Sequence, residues 1–326
     1  MKIYWIRIKD GKTETKDITN VVSNINWSGS TSQVARTAEI AILNAPNDKN
    51  ITALKINIAA GDMIKLIEDT ECIFIGQVQT KEKTSTPGTV SYYATDFMQH
   101  LLKSEGVYNF KNKTPEDITK RVCADIEVKT DEIVKTGKMI NKLIIDGDNF
   151  YVIIMKAYTK ASKETGMKYI CRMKGTKLSV SVKGTIVEKF ILSDKKNITD
   201  TQYQETIENA VNVVKIYDDN KKQIGEIRDE ESIKKYGIYQ KIYTKEKGID
   251  SKKAAKHMLV GVEKTVSLEA IEGNIDCISG NGIQVYDTAT GLNGLFWIEG
   301  DTHTWENNIH TMSLEICFKN IMDSQE

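Results

Sequence analysis

The chain has 326 residues, 40% of them hydrophobic, and its 45 basic side chains are balanced by 45 acidic ones. This length suits two or three packed units, and an electroneutral chain is poorly suited to binding nucleic acid tightly through its phosphates. No stretch approaches the roughly 18 apolar residues needed to span a bilayer. The five cysteines are widely spaced without a Cys-x-x-Cys pair, which disfavours a disulfide framework or zinc cluster and favours a reducing compartment.

The first hundred residues have the apolar patterns of β-strands. Alternating or short apolar runs separated by turn residues predict strands at 2–9, 18–28, 35–43, 63–68, 72–78 and 90–95. Ser85-Thr86-Pro87-Gly88 is typical of a β-turn, and a helical turn is predicted at 96–102. We therefore predict a small β-barrel or sandwich over residues 1–104.

The pattern changes near residue 105. Thr114 followed by Pro115 predicts a helix with a side-chain cap and proline in its first turn. A second helix is predicted from residue 148 or 149 to the stop signal Thr165-Gly166. Strands are predicted next, at 168–173, 178–182 and 186–192. These elements indicate an α+β domain over residues 105–200.

From residue 201 the chain is predicted to return to β-structure. Strands are expected at 210–217 and 265–271, with a charged polar stretch at 218–235 and an amphipathic helix at 251–264 between them. A hairpin is predicted at the end of the chain. We therefore predict a second β-domain over residues 201–326, with a small helical insertion at about 218–264.

A weak internal repeat links the two predicted β-domains. ECIFIG (71–76) resembles GLFWIEG (294–300), which aligns Phe74 with Phe296. At the same offset in residue number, TVSY (89–92) aligns with TMSL (311–314). At a slightly smaller offset, IKL (64–66) aligns with IQV (283–285). A true repeat predicts two related barrels separated by the α+β domain. Chance similarity between two hairpins is the alternative explanation.

The terminal hairpin contains the candidate site residues Asp301, His303 and His310. The alternation from His310 to Phe318 predicts a half-buried strand, and a turn at residues 306–309 would place His303 roughly opposite His310. Zinc sites need three or four ligands at suitable spacing, and no HExxH-type spacing is present. A cross-strand polar pair is favoured over a metal site, and we predict no catalytic residue and no cofactor.

Five segments together resemble the central baseplate hub proteins of contractile phage tails, in the XkdQ-like branch found in defective prophages and R-type bacteriocins. The segments are INWSGSTSQVARTAEIAIL (25–43), GDMIKLIEDTECIFIGQV (61–78), TPEDITKRVC (114–123), DNFYVIIMKAYTKASKETG (148–166) and TGLNGLFWIEGDTHTWENNIHTMSLEICF (290–318). The resemblance covers essentially the whole chain, and the last segment is the most specific.

This resemblance implies a β-rich α+β multidomain fold with two tail-tube-like β-barrels and an α+β domain between them. It implies a homotrimer whose six barrels form a pseudo-six-fold ring that joins a hexameric tail tube to a three-fold spike. The implied partners are further copies of the chain, the tail tube protein, the spike, other baseplate proteins and the tape-measure protein, with nucleic acid only in transit. Assembly is expected in the bacterial cytoplasm, with release in a particle after lysis, and no enzymatic activity is expected.

Two other functions remain open from the residues alone. Asp301, His303 and His310 would serve a metal-assisted hydrolase of cell-wall material. Trp305 would serve as a stacking platform in a carbohydrate-binding module.

Overall fold

The computed structural model describes residues 1–44, 56–83, 88–245 and 250–325. The chain divides into two compact units, a first unit of Met1–Thr201 with Ser267–Glu326 and a second unit of Gln202–Val266. Except for Gly88, the predicted turn at residues 85–88 lies outside the described residues.

The first unit is mainly β-structure. Its strands are β1 (Lys2–Lys9), β2 (Lys12–Asp17), β3 (Val22–Ser30), β4 (Thr37–Asn44), β5 (Met63–Glu68), β6 (Glu71–Lys83), β7 (Gly88–Asp96), β8 (Glu105–Lys113), β9 (Thr130–Ile133), β10 (Ile140–Asn149), β11 (Tyr169–Lys174), β12 (Lys177–Val182), β13 (Ile186–Ser193), β19 (Gly282–Asp287), β20 (Leu292–Glu306) and β21 (Ile309–Cys317). Its helices are a 3-10 turn (Thr19–Val21), α1 (Met98–Lys103), α2 (Pro115–Asp125) and α3 (Phe150–Thr165).

The remaining elements belong to the second unit or to its two connections. Strands β14 (Ile198–Thr206) and β18 (Glu263–Ala270) pair with each other and contain the two points at which the chain passes between units. Within the second unit are β15 (Val213–Tyr217), β16 (Gln223–Arg228), β17 (Gln240–Thr244), α4 (Glu230–Tyr236) and α5 (Ser251–His257). Central β15 pairs with β16 and β17, and its residues Val214 and Ile216 pack with Ala255 of α5 in a small core.

One continuous sheet joins the two ends of the first unit. The sheet has thirteen strands, and nine of them follow the order β21-β20-β3-β4-β7-β6-β5-β1-β2. Strand β20 makes this continuity possible because it is long. Its first half pairs with β19, and its second half pairs with β3 from the start of the chain. The sheet buries an apolar core that includes Trp5, Trp27, Ile40 and Leu66, as the alternating patterns predict.

The helices of the middle segment begin where their capping residues predict. The Thr114 side chain accepts a hydrogen bond from the Asp117 N–H at 3.2 Å, and Pro115 opens α2. The Asn149 side chain accepts from the Val152 N–H at 2.9 Å, and α3 ends at Gly166, whose φ of 74° favours glycine. Both helices pack on the β8–β10 pair, and their common core includes Ile118 and Ile153.

Two three-stranded antiparallel meanders, β5–β6–β7 and β19–β20–β21, correspond to the predicted repeat. Ile64 pairs with Gly76, and its counterpart Ile283 pairs with Phe296. Both middle strands have a β-bulge at the matching position, between residues 78 and 80 in β6 and between 298 and 300 in β20. The predicted alignment of Phe74 with Phe296 was therefore wrong by two residues, because Phe296 occupies the position of Gly76.

Several elements differ from the predictions. The expected helix at 251–264 ends at His257, and β18 already begins at Glu263. The charged stretch at 218–235 contains β16 and all of α4 except Tyr236. The fully exposed strand β2 was not predicted. The β-rich α+β class is confirmed. The domain bounds 1–104, 105–200 and 201–326 stay a prediction, as does the division into two barrels.

Candidate functional site

The candidate residues lie where β20 passes between β21 and β3. A two-residue turn joins β20 to β21, and its residues Asn307 and Asn308 have φ values of 51° and 64°. Positive φ at both positions is typical of a type I′ turn, which asparagine tolerates. This turn pairs Trp305 with His310 and His303 with Met312. The two histidines, expected roughly opposite each other, are diagonal neighbours on one face.

The two imidazoles form a hydrogen-bonded chain. His303 Nε2 lies 3.2 Å from the Cys277 carbonyl oxygen, and His303 Nδ1 lies 3.0 Å from His310 Nε2. Because a carbonyl only accepts, His303 Nε2 carries a proton and its Nδ1 accepts from His310. Burial lowers the pKa of each imidazole to about 4. Both rings are therefore neutral near pH 7, which leaves His303 Nδ1 without a proton and able to accept from His310.

Asp301 is the anionic centre of the cluster, and its side chain is fully buried. It accepts hydrogen bonds from both terminal nitrogens of Arg36, with Nη1 at 3.0 Å, and from the Ser279 N–H at 2.6 Å. The Arg36 guanidinium also lies 3.9 Å from the Trp27 ring centre, a cation–π geometry. This ion pair connects residues on β20 with the segment that leads into β4.

Asp301, His303 and His310 do come together, as a metal site would require, and Asp301 Oδ2 lies 3.5 Å from His303 Nε2. However, the aspartate already faces a guanidinium, and one histidine nitrogen faces a carbonyl oxygen. Among the residues that the structure describes, no group of three or more His, Cys, Asp or Glu residues could hold a metal ion. The geometry is that of an ion pair and hydrogen bonds that connect neighbouring strands.

Trp305 does not provide an open stacking platform. The residue is 7% exposed, its indole stacks on His310 with ring centres 4.0 Å apart, and its Nε1 donates to Glu68 at 3.2 Å. A sugar ring needs an accessible aromatic face. The carbohydrate-binding hypothesis for Trp305 is therefore wrong.

Sequence reasoning missed a group of basic residues beside this cluster, of which Lys183 is buried and Arg36 and Arg172 are half-buried. Arg172 Nη2 donates to the Ser279 carbonyl oxygen at 2.6 Å, and Lys183 Nζ lies 3.3 Å from Glu299 Oε1. With Arg36 they line a small cavity of about 40 Å³. Burial lowers the pKa of Arg172 to about 10. These contacts join segments far apart in sequence, so no local motif predicts them.

One local signal for the ion pair was present at Gly29, which lies opposite Asp301 in the strand pairing. A Cβ at this position would lie 2.5 Å from Arg36 Nη1. Glycine inside a strand often marks such a close approach. The glycine therefore leaves room for the arginine.

The described part of the chain has no helix long and apolar enough to cross a membrane. Its fold is shared with a solved tail protein: the 43 kDa tail protein of prophage MuSo2 from Shewanella oneidensis matches with a TM-score of 0.72 and 13% identity, covering 99% of this chain and 100% of the other.

The sequence match identifies the family. Residues 25–317 match the YqbQ-like family model, so the chain belongs to the YqbQ-like family. YqbQ of Bacillus subtilis (strain 168) is 27% identical over 317 residues, covering 94% of this chain and 95% of that protein. The phage-like element PBSX protein XkdQ of the same strain is 25% identical over 318 residues, covering 95% and 96%. The resemblance to XkdQ-like proteins is confirmed.

Proposed function

We propose that this protein is the structural hub of a contractile tail, a homotrimer that joins the hexameric tail tube to the three-fold spike. The observation that carries the proposal is the pair of similar meanders, β5–β6–β7 and β19–β20–β21, with bulges at matching positions. Three copies of a chain with two similar β-units present six such units. That arrangement matches six-fold symmetry on one side and three-fold symmetry on the other.

The relatives support a role in a tail. XkdQ is a protein of a phage-like element, and the MuSo2 protein, which has the same fold, is a prophage tail protein. The partners of this chain would be its own copies, the tail tube protein, the spike, other baseplate proteins and the tape-measure protein. Assembly would take place in the bacterial cytoplasm, and lysis would release the particle.

The role proposed is non-enzymatic. The cluster of Asp301, His303 and His310 then stabilises the junction of β20 with β3 and takes part in no reaction. Its oxygen and nitrogen atoms are directed at other groups of the same chain, Arg36, Ser279 and Cys277. An electroneutral chain also suits a channel through which a charged cargo passes without binding.

Co-expression with the tail tube and spike proteins of the same gene cluster tests the proposal. Native mass spectrometry of the purified complex is expected to give three copies of this chain for each spike trimer. Electron microscopy is expected to show six similar β-units facing the tube. Failure to form a complex, or a complex with six copies of this chain, would contradict the hub assignment.

A separate assay tests the absence of catalysis. Purified protein is incubated with cell-wall material, in parallel with the His303→Ala variant, and its metal content is measured. Neither protein is expected to release soluble fragments. Stoichiometric zinc together with lysis that depends on His303 would replace the structural role with that of a hydrolase.

A further inference from the structure

The two-stranded ribbon of β8 and β10 has one buried face and one open face. Phe110, Leu143 and Ile145 are buried against the helices of the middle segment. On the opposite face Val107 is 73% exposed and Ile144 is 59% exposed. The strand pairing makes them diagonal neighbours, because Val107 pairs with Asp146 and Ile144 with Asn109. The open face therefore has an apolar centre in contact with solvent.

Two lysines lie beside this apolar centre. Lys111 and Lys142 are directly opposite each other, both are exposed, and both lie on the face of Val107 and Ile144. Like charges in this position destabilise a strand pair. Neither lysine belongs to an ion pair within the described part of the chain. The ribbon thus retains two lysines without an ion-pair partner among the described residues, next to exposed aliphatic side chains; the exposed Asp146 lies on the same face, opposite Val107.

Two other opposed lysine pairs have a different setting. Lys9 with Lys12, and Lys174 with Lys177, each flank a two-residue turn at the end of a hairpin. Lys174 also lies 3.7 Å from a carboxylate oxygen of Asp131. The Lys111–Lys142 pair closes no turn and has no such acid, so hairpin geometry does not account for it.

The edges of the ribbon are open as well. Among the described residues β8 and β10 pair only with each other, which leaves one row of backbone N–H and C=O groups on each outer edge. A third strand would satisfy such a row, and three strands are more stable than a ribbon of two. Every second side chain of a strand added along β10 would also lie beside Lys142 and Ile144.

We propose that the β8–β10 ribbon binds an extended acidic segment of a partner protein, which adds to it as a strand. Along the outer edge of β10, a carboxylate of that segment pairs with Lys142 and an apolar side chain covers Ile144, while Lys111 adds its positive charge from the neighbouring strand. Backbone hydrogen bonds supply affinity, and alternate side chains supply specificity. Nucleic acid fits the surface less well because its backbone offers neither the apolar groups nor the strand pairing.

The test uses the full chain and a labelled nine-residue peptide in which glutamate and valine alternate at every second position, with threonine between them, so that both lie on one face of the added strand. Binding is followed by fluorescence anisotropy. The native chain is expected to bind saturably and more weakly as salt is raised. Lys142→Glu is expected to reduce the affinity by about tenfold or more, because it places a carboxylate against the acidic peptide. The same change removes the repulsion between residue 142 and Lys111. The unfolding midpoint of the Lys142→Glu variant is therefore expected to equal or exceed that of the native chain.

Two controls make the result specific. Lys177→Glu changes an exposed lysine outside the ribbon and is expected to leave the peptide affinity unchanged. A peptide of the same length with proline at two central positions is expected not to bind, because proline cannot donate to a strand ladder. Equal weakening by Lys142→Glu and Lys177→Glu, no binding by the native chain, or binding of single-stranded DNA in place of the peptide would each overturn the proposal.

Discussion

Replacing Arg36 with methionine tests how the β20–β3 junction is stabilised. The change keeps much of the side-chain volume but removes the charge. It leaves the buried carboxylate of Asp301, whose side chain is 0% exposed, with the Ser279 N–H as its remaining strong donor. Removing one partner of a buried ion pair typically costs about 3–5 kcal/mol, because the other charge stays buried. The contact with Trp27 is lost at the same time. We expect a loss of this size in the free energy of unfolding.

The assay is urea unfolding at pH 7 followed by tryptophan fluorescence. All four tryptophans lie in the first unit, so the signal reports on that unit: Trp5, Trp27, Trp297 and Trp305. Glu14→Gln is the matched control, because the Lys16–Glu14 pair is exposed, at 47% and 53%. It should cost at most about 0.2–1 kcal/mol.

A double variant separates the charge effect from a packing effect. Arg36→Met combined with Asp301→Leu removes both charges, and replacing a buried pair with apolar groups is often close to neutral. The double variant should therefore be more stable than Arg36→Met alone. If Arg36→Met costs no more than Glu14→Gln, or if the double variant is the less stable of the two, the ion pair does not stabilise the junction as argued.

Two further results are expected. Burial lowers the pKa of His303 to about 4 from 6.5. Between these pH values the unfolded chain therefore binds more protons than the folded chain. The stability present above pH 6.5 should be lost as the pH falls toward 4. The loss from His303 is at most about 3 kcal/mol. The free energy of unfolding of His303→Gln should therefore change less than that of the native chain between pH 7 and 4.5. Parallel pH profiles for the two proteins would contradict this. Gly29→Ala forces the held Arg36 side chain to move and should lower the free energy of unfolding by about 1–3 kcal/mol. Differential scanning calorimetry, which reports on both units, measures this loss. Gly261→Ala is in the second unit and its Cβ meets nothing within 4 Å, so it should leave the calorimetric profile nearly unchanged.

The sequence predicted elements well where the signal is local. Helices α2 and α3 begin at side-chain caps and α3 ends at a glycine, and all three residues are visible in the sequence. Strand β2 has no apolar residue and is exposed throughout, so its pairing with β1 is the only indication that it is a strand. A sequence pattern cannot report pairing of this kind.

The same distinction applies to the candidate site. His303 and His310 belong to one hairpin, so their proximity was predictable, although the register was not. Arg36 is separated from Asp301 by 265 positions in the chain, and no local pattern joins them. The sequence therefore suggested a cross-strand histidine pair, whereas the structure adds the basic residue that engages the aspartate.

The internal repeat shows what strand pairing preserves when residue identity is lost. In β6 the aromatic residue precedes the glycine, as Phe74-x-Gly76, and in β20 the matching positions hold Gly294-x-Phe296. The two positions lie on one face of the strand, so an aromatic residue at either one faces the same side of the sheet. A bulge changes the register of every residue beyond it and is therefore difficult to move. The matching bulges, more than the shared phenylalanine, are the reason to regard the two meanders as related.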